Sequence, residues 1–332
     1  MRSWVRTMKL VLINCYFGRL PAFFPLWLQS CGMNAKIDFI LVTDAVIEQP
    51  LPANVKVVPS TLEELVRRID EKLSIKAAVS SPYKLTDFKP AYGVIFEDYI
   101  KGYDYWGYCD VDLIFGNLMK FVDSPMTQGY DKIYQLGHLT IYKNTDRMNC
   151  LFQQSGGAFN FREVFTNSEF YSFDEHAGQM LIAKKQGVRE YCREDMADIS
   201  CRITRMTASR QKNYPFQVFY YENGAVYRAF IEDETEKTEE FAYIHLQKRS
   251  FRFAREMNSY YILSDRFEEK TPGVPAEAVI KKMSGYTDAK DERTQLNTFR
   301  YGKLRAFFDS TVKDKRIWIK IKISEKKVRL QK

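Results

Sequence analysis

The first 120 residues alternate between short apolar runs and segments in which apolar residues recur at helical spacing. The runs KLVLINCYF, IDFILVTD and VKVVPS are typical of β-strands. Between the first two lies RLPAFFPLWLQSC, which is apolar and either helical or irregular. STLEELVRRIDEKL predicts a helix capped by Ser60 or Thr61, and KPAYGVIFEDYIKGY predicts another that ends at Gly102. Because strands interleaved with helices build parallel sheets, this half predicts a mostly parallel, doubly wound α/β fold.

The second half of the chain has a more mixed pattern. DKIYQLGHLTIYKN predicts two strands joined near Gly137 and His138, and FDEHAGQMLIAKKQG predicts a helix closed by Gly187. FQVFYYENGAVYRAFI predicts a hairpin, since Asn223-Gly224 favours a type I′ turn. FAYIHLQKR predicts another short strand. No repeat or polar linker interrupts the chain, so we expect one main domain with a C-terminal extension.

Two acidic residues stand out in the apolar stretch YWGYCDVDLIFGNL, which predicts a buried strand. Asp110 and Asp112 are two residues apart, so in a strand both carboxylates would project from the same face. Their repulsion is unfavourable unless one is protonated or a cation lies between them. A hard divalent ion such as Mg²⁺ or Mn²⁺, bound through oxygen, relieves it. The pattern therefore predicts a divalent metal site at the end of this strand.

Composition excludes several classes of protein. With 45% hydrophobic and 15% aromatic residues, the chain can bury a large core and is not disordered. It contains no apolar run of about 18 residues, so no transmembrane helix is predicted. The apolar start is short for a secretory signal, lacks a small-residue cleavage site and is interpreted as the first strand. Six cysteines without a CxxC pair favour reduced thiols, so we expect a cytoplasmic protein.

The net charge of +8 is concentrated at the C-terminus. Residues 299–332 contain twelve Lys or Arg against three Asp or Glu, and RIWIKIKISEKKVRLQK alternates isoleucine with basic residues. This period of two fits an edge strand or a surface-seeking amphipathic segment. Two interpretations remain open: attraction to an anionic membrane, or a solvated basic terminus. No nucleic-acid motif accompanies the charge, so no nucleic-acid partner is expected.

Five stretches together resemble the GT-A glycosyltransferases, and within them bacterial enzymes of surface-polysaccharide or lipopolysaccharide synthesis. They are VLINCYFGRLPAFFPLWLQSC, FILVTD, KLTDFKPAYG, GYDYWGYCDVDLIFGNL and YIHLQKR. The resemblance covers roughly residues 8–250, and the D-x-D block with the upstream DFKP is its most specific part. It implies a Rossmann-like catalytic domain over 8–250, with a mixed, mostly parallel sheet and helices on both faces. A helical, basic extension would follow over 251–332.

The resemblance also implies an activity and a metal site. The expected reaction transfers a sugar from a nucleotide-diphosphate donor, a UDP-sugar by analogy, to a saccharide or lipid-linked saccharide acceptor. Asp110, Asp112 and His245 would bind Mn²⁺ or Mg²⁺ against the diphosphate of the donor. Lys248 and Arg249 would contact phosphate oxygens. The enzyme would work in the cytoplasm, peripherally on the inner face of the cell membrane.

Further side chains are candidates for donor binding and catalysis. Asp174, followed by Glu175, is the candidate base that deprotonates the acceptor hydroxyl. Ser172 and Glu175 also have the spacing of a capping box, which would explain Glu175 by structure alone. The candidate donor contacts are Asn14, Tyr16, Phe17, Asp44, Lys89, Asp110, His138 and Lys248.

Two other functions use the same motif. Phosphatases of the haloacid-dehalogenase type carry D-x-D at a strand end, with one Asp as nucleophile and the other as acid or base. Their motif normally lies on the first strand, whereas about 100 residues precede it here, and Ile114 stands where they have a small polar residue. The other alternative is a non-catalytic carbohydrate-binding protein on the GT-A fold, with the acids retained for a structural ion.

Overall fold

The computed structural model describes residues 8–247, 249–309 and 312–329. The strands are β1 Leu10–Cys15, β2 Ile37–Thr43, β3 Val55–Pro59, β4 Tyr105–Cys109, β5 Leu113–Phe115, β6 Lys132–Leu136, β7 Leu139–Lys143, β8 Glu190–Tyr191, β9 Met196–Asp198, β10 Gln217–Glu222, β11 Ala225–Glu232, β12 Thr235–Phe241, β13 Tyr243–His245, β14 Tyr260–Ile262 and β15 Phe267–Glu269. The α-helices are α1 Phe24–Met33, α2 Leu62–Leu73, α3 Tyr92–Ile95, α4 Leu118–Thr127, α5 Asp146–Asn149, α6 Phe161–Phe165, α7 Gln179–Lys185, α8 Glu277–Met283, α9 Ala289–Asp309 and α10 Val312–Arg329. Two 3₁₀ helices span Pro82–Ala91 and Leu151–Gln153.

A seven-stranded sheet forms the centre of the fold, in the order β3-β2-β1-β4-β7-β6-β8. The first four strands are parallel, β7 runs antiparallel to β4 and β6, and β8 is parallel to β6. Strand β1 illustrates how helices cover both faces of the sheet. Val11 and Ile13 pack with helices α2 and α3 on one face, while Leu10 and Leu12 pack with α1 and α4 on the other. The predicted mixed α/β class, mostly parallel with helices on both faces, is confirmed.

Two smaller sheets extend the carboxyl-terminal half. One has the order β12-β11-β10-β14-β15, and the other has the order β5-β13-β9. The hairpin between β10 and β11 has Asn223 at φ 50° and Gly224 at φ 77°. Positive φ at both central positions defines the predicted type I′ turn. In the three-stranded sheet, β13 pairs antiparallel with β5 and parallel with β9, which brings three distant segments of the chain together.

Several sequence-based element predictions are confirmed, and others are wrong. Thr61 caps α2 with a full capping box, because its hydroxyl accepts from the Glu64 N–H and the Glu64 carboxylate accepts from the Thr61 N–H. The helix predicted to end at Gly102 is reduced to the four residues of α3, preceded by the 3₁₀ helix. The helix predicted from Phe173 begins only at Gln179, since the residues before it form turns.

The basic tail is helical, so its interpretation as an edge strand is wrong. Ile317 of α10 is buried in the same apolar cluster as α2 and α3, and Ile321 packs partly against that cluster. The division into a catalytic domain over 8–250 and an extension from 251 stays a prediction. Strands β14 and β15 lie beyond residue 250 and belong to the five-stranded sheet through β10.

Candidate functional site

The D-x-D residues lie in a turn between two strands and not within one strand as predicted. Strand β4 ends at Cys109 and β5 begins at Leu113. The backbone of Asp110 is fixed on both sides, because its N–H donates to the His138 carbonyl at 3.0 Å and its carbonyl accepts from the Trp27 indole at 3.1 Å. The two acids therefore converge because of the turn, and not because a strand places alternate side chains on one face.

Strand β13 brings a histidine to this turn. It pairs with β5 so that His245 lies opposite Leu113, and the Leu246 N–H donates to the Asp112 carbonyl at 2.9 Å. One ligand atom each from Asp110, Asp112 and His245 then lies within 4.8 Å of the others. Two carboxylates and one imidazole form a donor set that suits Mn²⁺ or Mg²⁺. The three residues predicted as metal ligands are thus adjacent in space.

An orphaned oxygen supports the fit of an ion. The Asp112 Oδ1 atom is buried and has no hydrogen-bond partner among the described residues, while Oδ2 lies 3.5 Å from His245 Nε2. A buried carboxylate oxygen without a partner is costly, and a bound cation satisfies it. The residues present therefore fit a divalent ion.

Asp198 holds the imidazole of His245 and was missed by sequence reasoning. His245 Nδ1 lies 2.8 Å from Asp198 Oδ1, which also accepts from the Gln247 amide at 2.8 Å. The two residues are partners in the parallel pairing of β13 with β9. No local motif marks Asp198, since only the pairing of strands more than 40 residues apart along the chain brings it to the histidine.

The charges of this cluster depend strongly on one another. Burial opposes a charge on His245, but Asp112 and Asp198 outweigh it and raise its pKa to about 10. Although burial also disfavours the Asp112 carboxylate, His245 holds the pKa of Asp112 below its usual value. For Asp110, burial prevails over the attraction of Lys89 and raises the pKa. Without metal, a protonated His245 thus lies between the carboxylates of Asp112 and Asp198.

His138 is a neutral, buried imidazole beside His245. The two rings lie 4.2 Å apart at a tilt of 32°, and His138 Nδ1 is 3.1 Å from the Tyr243 hydroxyl. Burial, followed by the charge of His245, lowers the pKa of His138 to about 3. Its Nε2 atom is buried without a hydrogen-bond partner in the described part of the chain. His138, Asp198 and His245 also lie close enough together to form an alternative ligand set.

Lys89 reaches the site but is used internally. Its ammonium donates to Asp110 Oδ1 at 2.5 Å and to the Gly137 carbonyl at 2.9 Å. Burial opposes its charge, yet Asp110 and Asp174 raise the pKa of Lys89. The predicted contact with the donor stays a prediction, and the observed role is to neutralise one carboxylate of the D-x-D.

Asp174 and Glu175 lie beside the same loop as His138. The Glu175 carboxylate accepts from the Gly137 N–H at 2.7 Å. The suggested capping box with Ser172 is wrong, because α7 begins only after Gly178 and the Glu175 N–H donates to the Ser172 carbonyl. Burial opposes its charge, but His176 and Gly137 lower the pKa of Glu175 to about 2. In contrast, burial raises the pKa of Asp174 well above its usual value. Glu175 is therefore ionised, while the neighbouring Asp174 has a higher proton affinity than an ordinary aspartate.

Two residues predicted to contact the nucleotide-sugar donor, Asn14 and Tyr16, lie at the carboxyl end of β1. Asn14 is buried at the end of β1, where its amide donates to the Cys109 carbonyl beside the D-x-D turn. The Tyr16 hydroxyl donates to the Arg19 carbonyl, and burial and the charge of Asp112 raise its pKa. These two residues border the carboxylates, and their predicted contact with a nucleotide remains a prediction.

Phe17 and Asp44 have structural partners. Phe17 is buried in the apolar cluster with α2 and α3. Asp44 accepts the Gly18 N–H at 2.8 Å and so fixes the loop after β1. For both residues, contact with the nucleotide-sugar donor stays a prediction.

Lys248 lies outside the described residues. Arg249, suggested as a phosphate contact, binds backbone carbonyls instead. The Arg249 guanidinium donates to a row of backbone carbonyls, including those of Ser200 and Ile203, at 2.6 Å each. A guanidinium surrounded in this way holds the loop after β9 and has few donors left for phosphate.

One cavity in the described part of the chain lies away from these residues. It measures about 530 Å³ and is bordered by Asp38, Lys56, Tyr99 and Tyr103. These residues stand at the amino-terminal edge of the parallel strands, whereas the D-x-D turn follows the carboxyl end of β4. Ligands of parallel α/β sheets bind at the carboxyl ends of the strands, so the carboxylate cluster is the candidate site.

A family model described as a family of unknown function, DUF6625, matches residues 12–271 of the chain. The match covers 260 of 332 residues. The chain belongs to the DUF6625 family. All the metal-ligand candidates of this DUF6625 protein, and Asp198 behind them, lie inside the matched region. No curated protein matches it.

Solved glycosyltransferase structures overlap with the DUF6625 protein in part. A structure of galactosyltransferase LgtC with donor and acceptor sugar analogues is 8% identical, with a TM-score of 0.25, and the match covers 40% of this chain and 58% of that one. Glycosyltransferase GlyE of Streptococcus pneumoniae TIGR4 is 10% identical, with a TM-score of 0.30, covering 57% and 46%. The DUF6625 protein thus spans about half the length of the solved structures it matches.

Proposed function

We propose that this DUF6625 protein is a metal-dependent glycosyltransferase of the GT-A type, acting on a nucleotide-diphosphate sugar, with UDP-sugar as the favoured donor. The observation that carries the proposal is the convergence of Asp110, Asp112 and His245 within 4.8 Å at the carboxyl end of a parallel strand. The D-x-D and upstream DFKP motifs, which resemble the GT-A enzymes, support the same assignment. The acceptor is a saccharide or lipid-linked saccharide of surface-polysaccharide synthesis.

The metal would be held by Asp110, Asp112 and His245, and Mn²⁺ or Mg²⁺ fits this donor set. When bound, the ion supplies Lewis-acid stabilisation to the charge that develops on the leaving diphosphate. Asp198 keeps Nδ1 of His245 occupied, so that Nε2 faces Asp112. Lys89 offsets the repulsion between the two aspartates through its contact with Asp110.

Transfer breaks the bond between the sugar C1 and the diphosphate oxygen and forms a bond from C1 to an acceptor hydroxyl oxygen. The proton of that hydroxyl must pass to a base, and we assign this role to Asp174, with Glu175 beside it. A carboxylate with a raised pKa is a stronger proton acceptor than an ordinary aspartate. The charge of Lys89 favours the ionised form of Asp174 that accepts the proton.

Contact with the inner face of the cell membrane is proposed for α10. None of the described helices is long and apolar enough to cross a membrane. The side of α10 that faces away from Ile317 exposes Trp318, Ile319 and Ile323, with side chains 39%, 45% and 50% accessible. Lys322 and Lys326 lie on this exposed side. Apolar residues flanked by lysines suit an anionic leaflet, because the lysines bind headgroups while the isoleucines enter the interface.

Thermal shift measurements test the proposed function. The melting temperature is measured with UDP and with GDP, each with Mn²⁺ or with EDTA, since a ligand that binds only the folded state raises it. We expect a UDP shift that requires Mn²⁺ and is lost in Asp112→Asn. Asp123→Asn, which removes an exposed carboxylate on α4, is the matched control and should retain the shift. A UDP shift of equal size in EDTA, or one retained by Asp112→Asn, would contradict the proposal.

A further inference from the structure

Two aromatic side chains are exposed beside the candidate site. Tyr83 is 52% exposed and Phe170 is 36% exposed, and their rings lie 5.0 Å apart at a tilt of 49°. Large aromatic residues usually bury their rings, so an exposed pair in mutual contact is a candidate contact surface. We refer to Tyr83 and Phe170 as the aromatic pair.

The aromatic pair borders the carboxylates of the site. Lys89, in the same 3₁₀ helix as Tyr83, contacts Asp110 and the Gly137 carbonyl, and Asp174 lies against Gly137. Phe170 precedes Asp174 by four residues along the chain. Burial, together with the charge of Asp174, raises the pKa of Tyr83 to about 12, which agrees with this arrangement. The surface consists of apolar ring atoms at one end and carboxyl groups at the other.

A buried ion pair fixes both members of the aromatic pair. Lys84 and Asp87 are 2% and 0% exposed, and the Lys84 ammonium lies 2.8 Å from the Asp87 carboxylate. Lys84 also donates to the carbonyl of Glu169, and Asp87 accepts the N–H groups of Tyr171 and Phe173.

These bonds tie together two segments that are distant in sequence. Tyr83 directly precedes Lys84, and Phe170 lies between Glu169 and Tyr171. The ion pair therefore links the 3₁₀ helix that carries Tyr83 to the segment that carries Phe170 and Asp174. Such a preorganised surface loses little conformational entropy when a ligand binds.

We propose that the aromatic pair is the binding surface for the acceptor, and that the acceptor presents a pyranose ring to it. This inference rests on the proposed function and specifies the acceptor side of the same site. A pyranose has an apolar face of ring C–H groups and a rim of hydroxyls. The C–H face matches the aromatic rings, and the hydroxyl rim matches the adjacent Asp174 and Glu175, because carboxyl oxygens accept hydroxyl protons. A purely apolar ligand would offer no hydroxyl groups to the carboxyl end of this surface.

Saccharide binding by the full-length protein tests the inference. Labelled protein with UDP and Mn²⁺ is applied to an array of mono-, di- and trisaccharides, and the best ligand is titrated in solution. Tyr83→Ala and Phe170→Ala should each weaken saccharide affinity by about tenfold, through loss of apolar contact area. Tyr83→Phe keeps the ring and should stay within about threefold of the wild type.

The chain offers a matched control. Tyr286 is 50% exposed and contacts Phe216 at 5.4 Å and 54°, which nearly repeats the geometry of the aromatic pair at another place on the surface. Tyr286→Ala should leave saccharide affinity unchanged. Saturation-transfer NMR on the bound sugar should show the strongest transfer to the ring C–H protons in the wild type and a loss of that transfer in Phe170→Ala.

The outcomes separate this inference from the proposed function. If saccharide binding depends on the aromatic pair but UDP gives no Mn²⁺-dependent thermal shift, the binding surface stands and the transferase assignment fails. If the UDP shift is present but no saccharide binds, or binding is unchanged in both alanine variants, the aromatic pair is not the acceptor surface. Equal losses in Tyr83→Ala and Tyr286→Ala would also overturn it.

Discussion

His245 donates a hydrogen bond from Nδ1 to Asp198 Oδ1 at 2.8 Å, across two adjacent parallel strands. The donor and acceptor roles follow from the raised pKa of His245, which keeps the imidazole protonated, and from the carboxylate, which can only accept. The bond fixes the ring so that Nε2 faces Asp112. Carboxylate partners of this kind orient metal-binding histidines.

Removal of this partner should weaken metal binding. Asp198→Ala frees the imidazole to rotate, so we expect Mn²⁺ affinity to fall by about 10- to 100-fold. Isothermal titration of the protein with Mn²⁺ alone measures this affinity without any assumption about the nucleotide-sugar donor. Asp123→Asn serves as the control for loss of a carboxylate. Equal affinities for Asp198→Ala and the wild type would show that the bond does not orient a ligand.

The stability of the metal-free protein should depend on the protonation of His245. Its pKa is raised from an ordinary 6.5 to about 10, so the folded state binds the proton more tightly than the unfolded state. The stabilisation is therefore fully present below about pH 6.5 and is lost as the pH approaches 10, at up to about 1.4 kcal/mol per pH unit. Urea denaturation in EDTA at several pH values measures it. In His245→Gln this contribution is absent, so the difference from the wild type should shrink between pH 7 and 10. A constant difference over that range would contradict the prediction.

The buried ion pair of Lys84 and Asp87 should be a major determinant of stability. Asp87→Ala leaves a buried ammonium without its counter-charge and two backbone N–H groups without their acceptor, so we expect a loss of about 3–5 kcal/mol in the free energy of unfolding. The exposed pair of Lys72 and Glu97 is the control, and Glu97→Ala should cost less than about 1 kcal/mol. Similar losses for the two variants in urea denaturation would show that burial of the first pair has no special importance.

Gly137 leaves room for the carboxyl groups of the candidate base. A Cβ atom at this position would collide with Asp174 Oδ2 and crowd Glu175 Oε1. Gly137→Ala should therefore displace Asp174 and cost about 1–3 kcal/mol of stability. Gly302→Ala, in α9 with open space around its Cβ position, should be neutral or stabilising by up to about 1 kcal/mol. Melting temperatures distinguish the two, and an unchanged value for Gly137→Ala would indicate that the loop adjusts freely.

Binding of α10 to anionic vesicles should depend on its exposed side. Reversal of Lys322 and Lys326 to Glu should weaken binding to phosphatidylglycerol vesicles by at least about fivefold per residue, at about 1 kcal/mol for each basic group. Lys36→Glu with Lys56→Glu changes the net charge equally on another surface and should have little effect. Co-sedimentation measures both. Equal loss in the two double variants would point to net charge alone. Absence of wild-type binding to neutral vesicles would exclude an apolar contribution.

Local sequence was enough to predict the elements whose hydrogen bonds close within a few residues. The helix cap predicted at Ser60 or Thr61 and the turn at Asn223-Gly224 are of this kind, and both are present, the cap at Thr61. The alternation of β-strands and helices in the first half likewise predicts the parallel sheet, because each apolar run can be buried only between helical layers.

Predictions failed where distant contacts override local preference. The segment predicted as a helix up to Gly102 is mainly 3₁₀ helix and turns, and the Lys84–Asp87 pair before it bonds to residues 80 or more positions away. The tail alternates like a strand, yet it forms α10 and buries Ile317 against the main domain. Periodicity describes a face that can be buried, and tertiary packing selects which face is used.

The sequence by itself determined which residues carry the candidate chemistry: two acids separated by one valine in an apolar stretch, and a histidine in the HLQKR segment. Only the tertiary structure decided that the acids meet in a turn, that Asp198 holds the histidine, and that Tyr83 lies beside Phe170. The physical reason is that charge and residue type are local properties. The distance between strand β13 and strand β9, or between a 3₁₀ helix and the loop before α7, is set by the packing of the whole core.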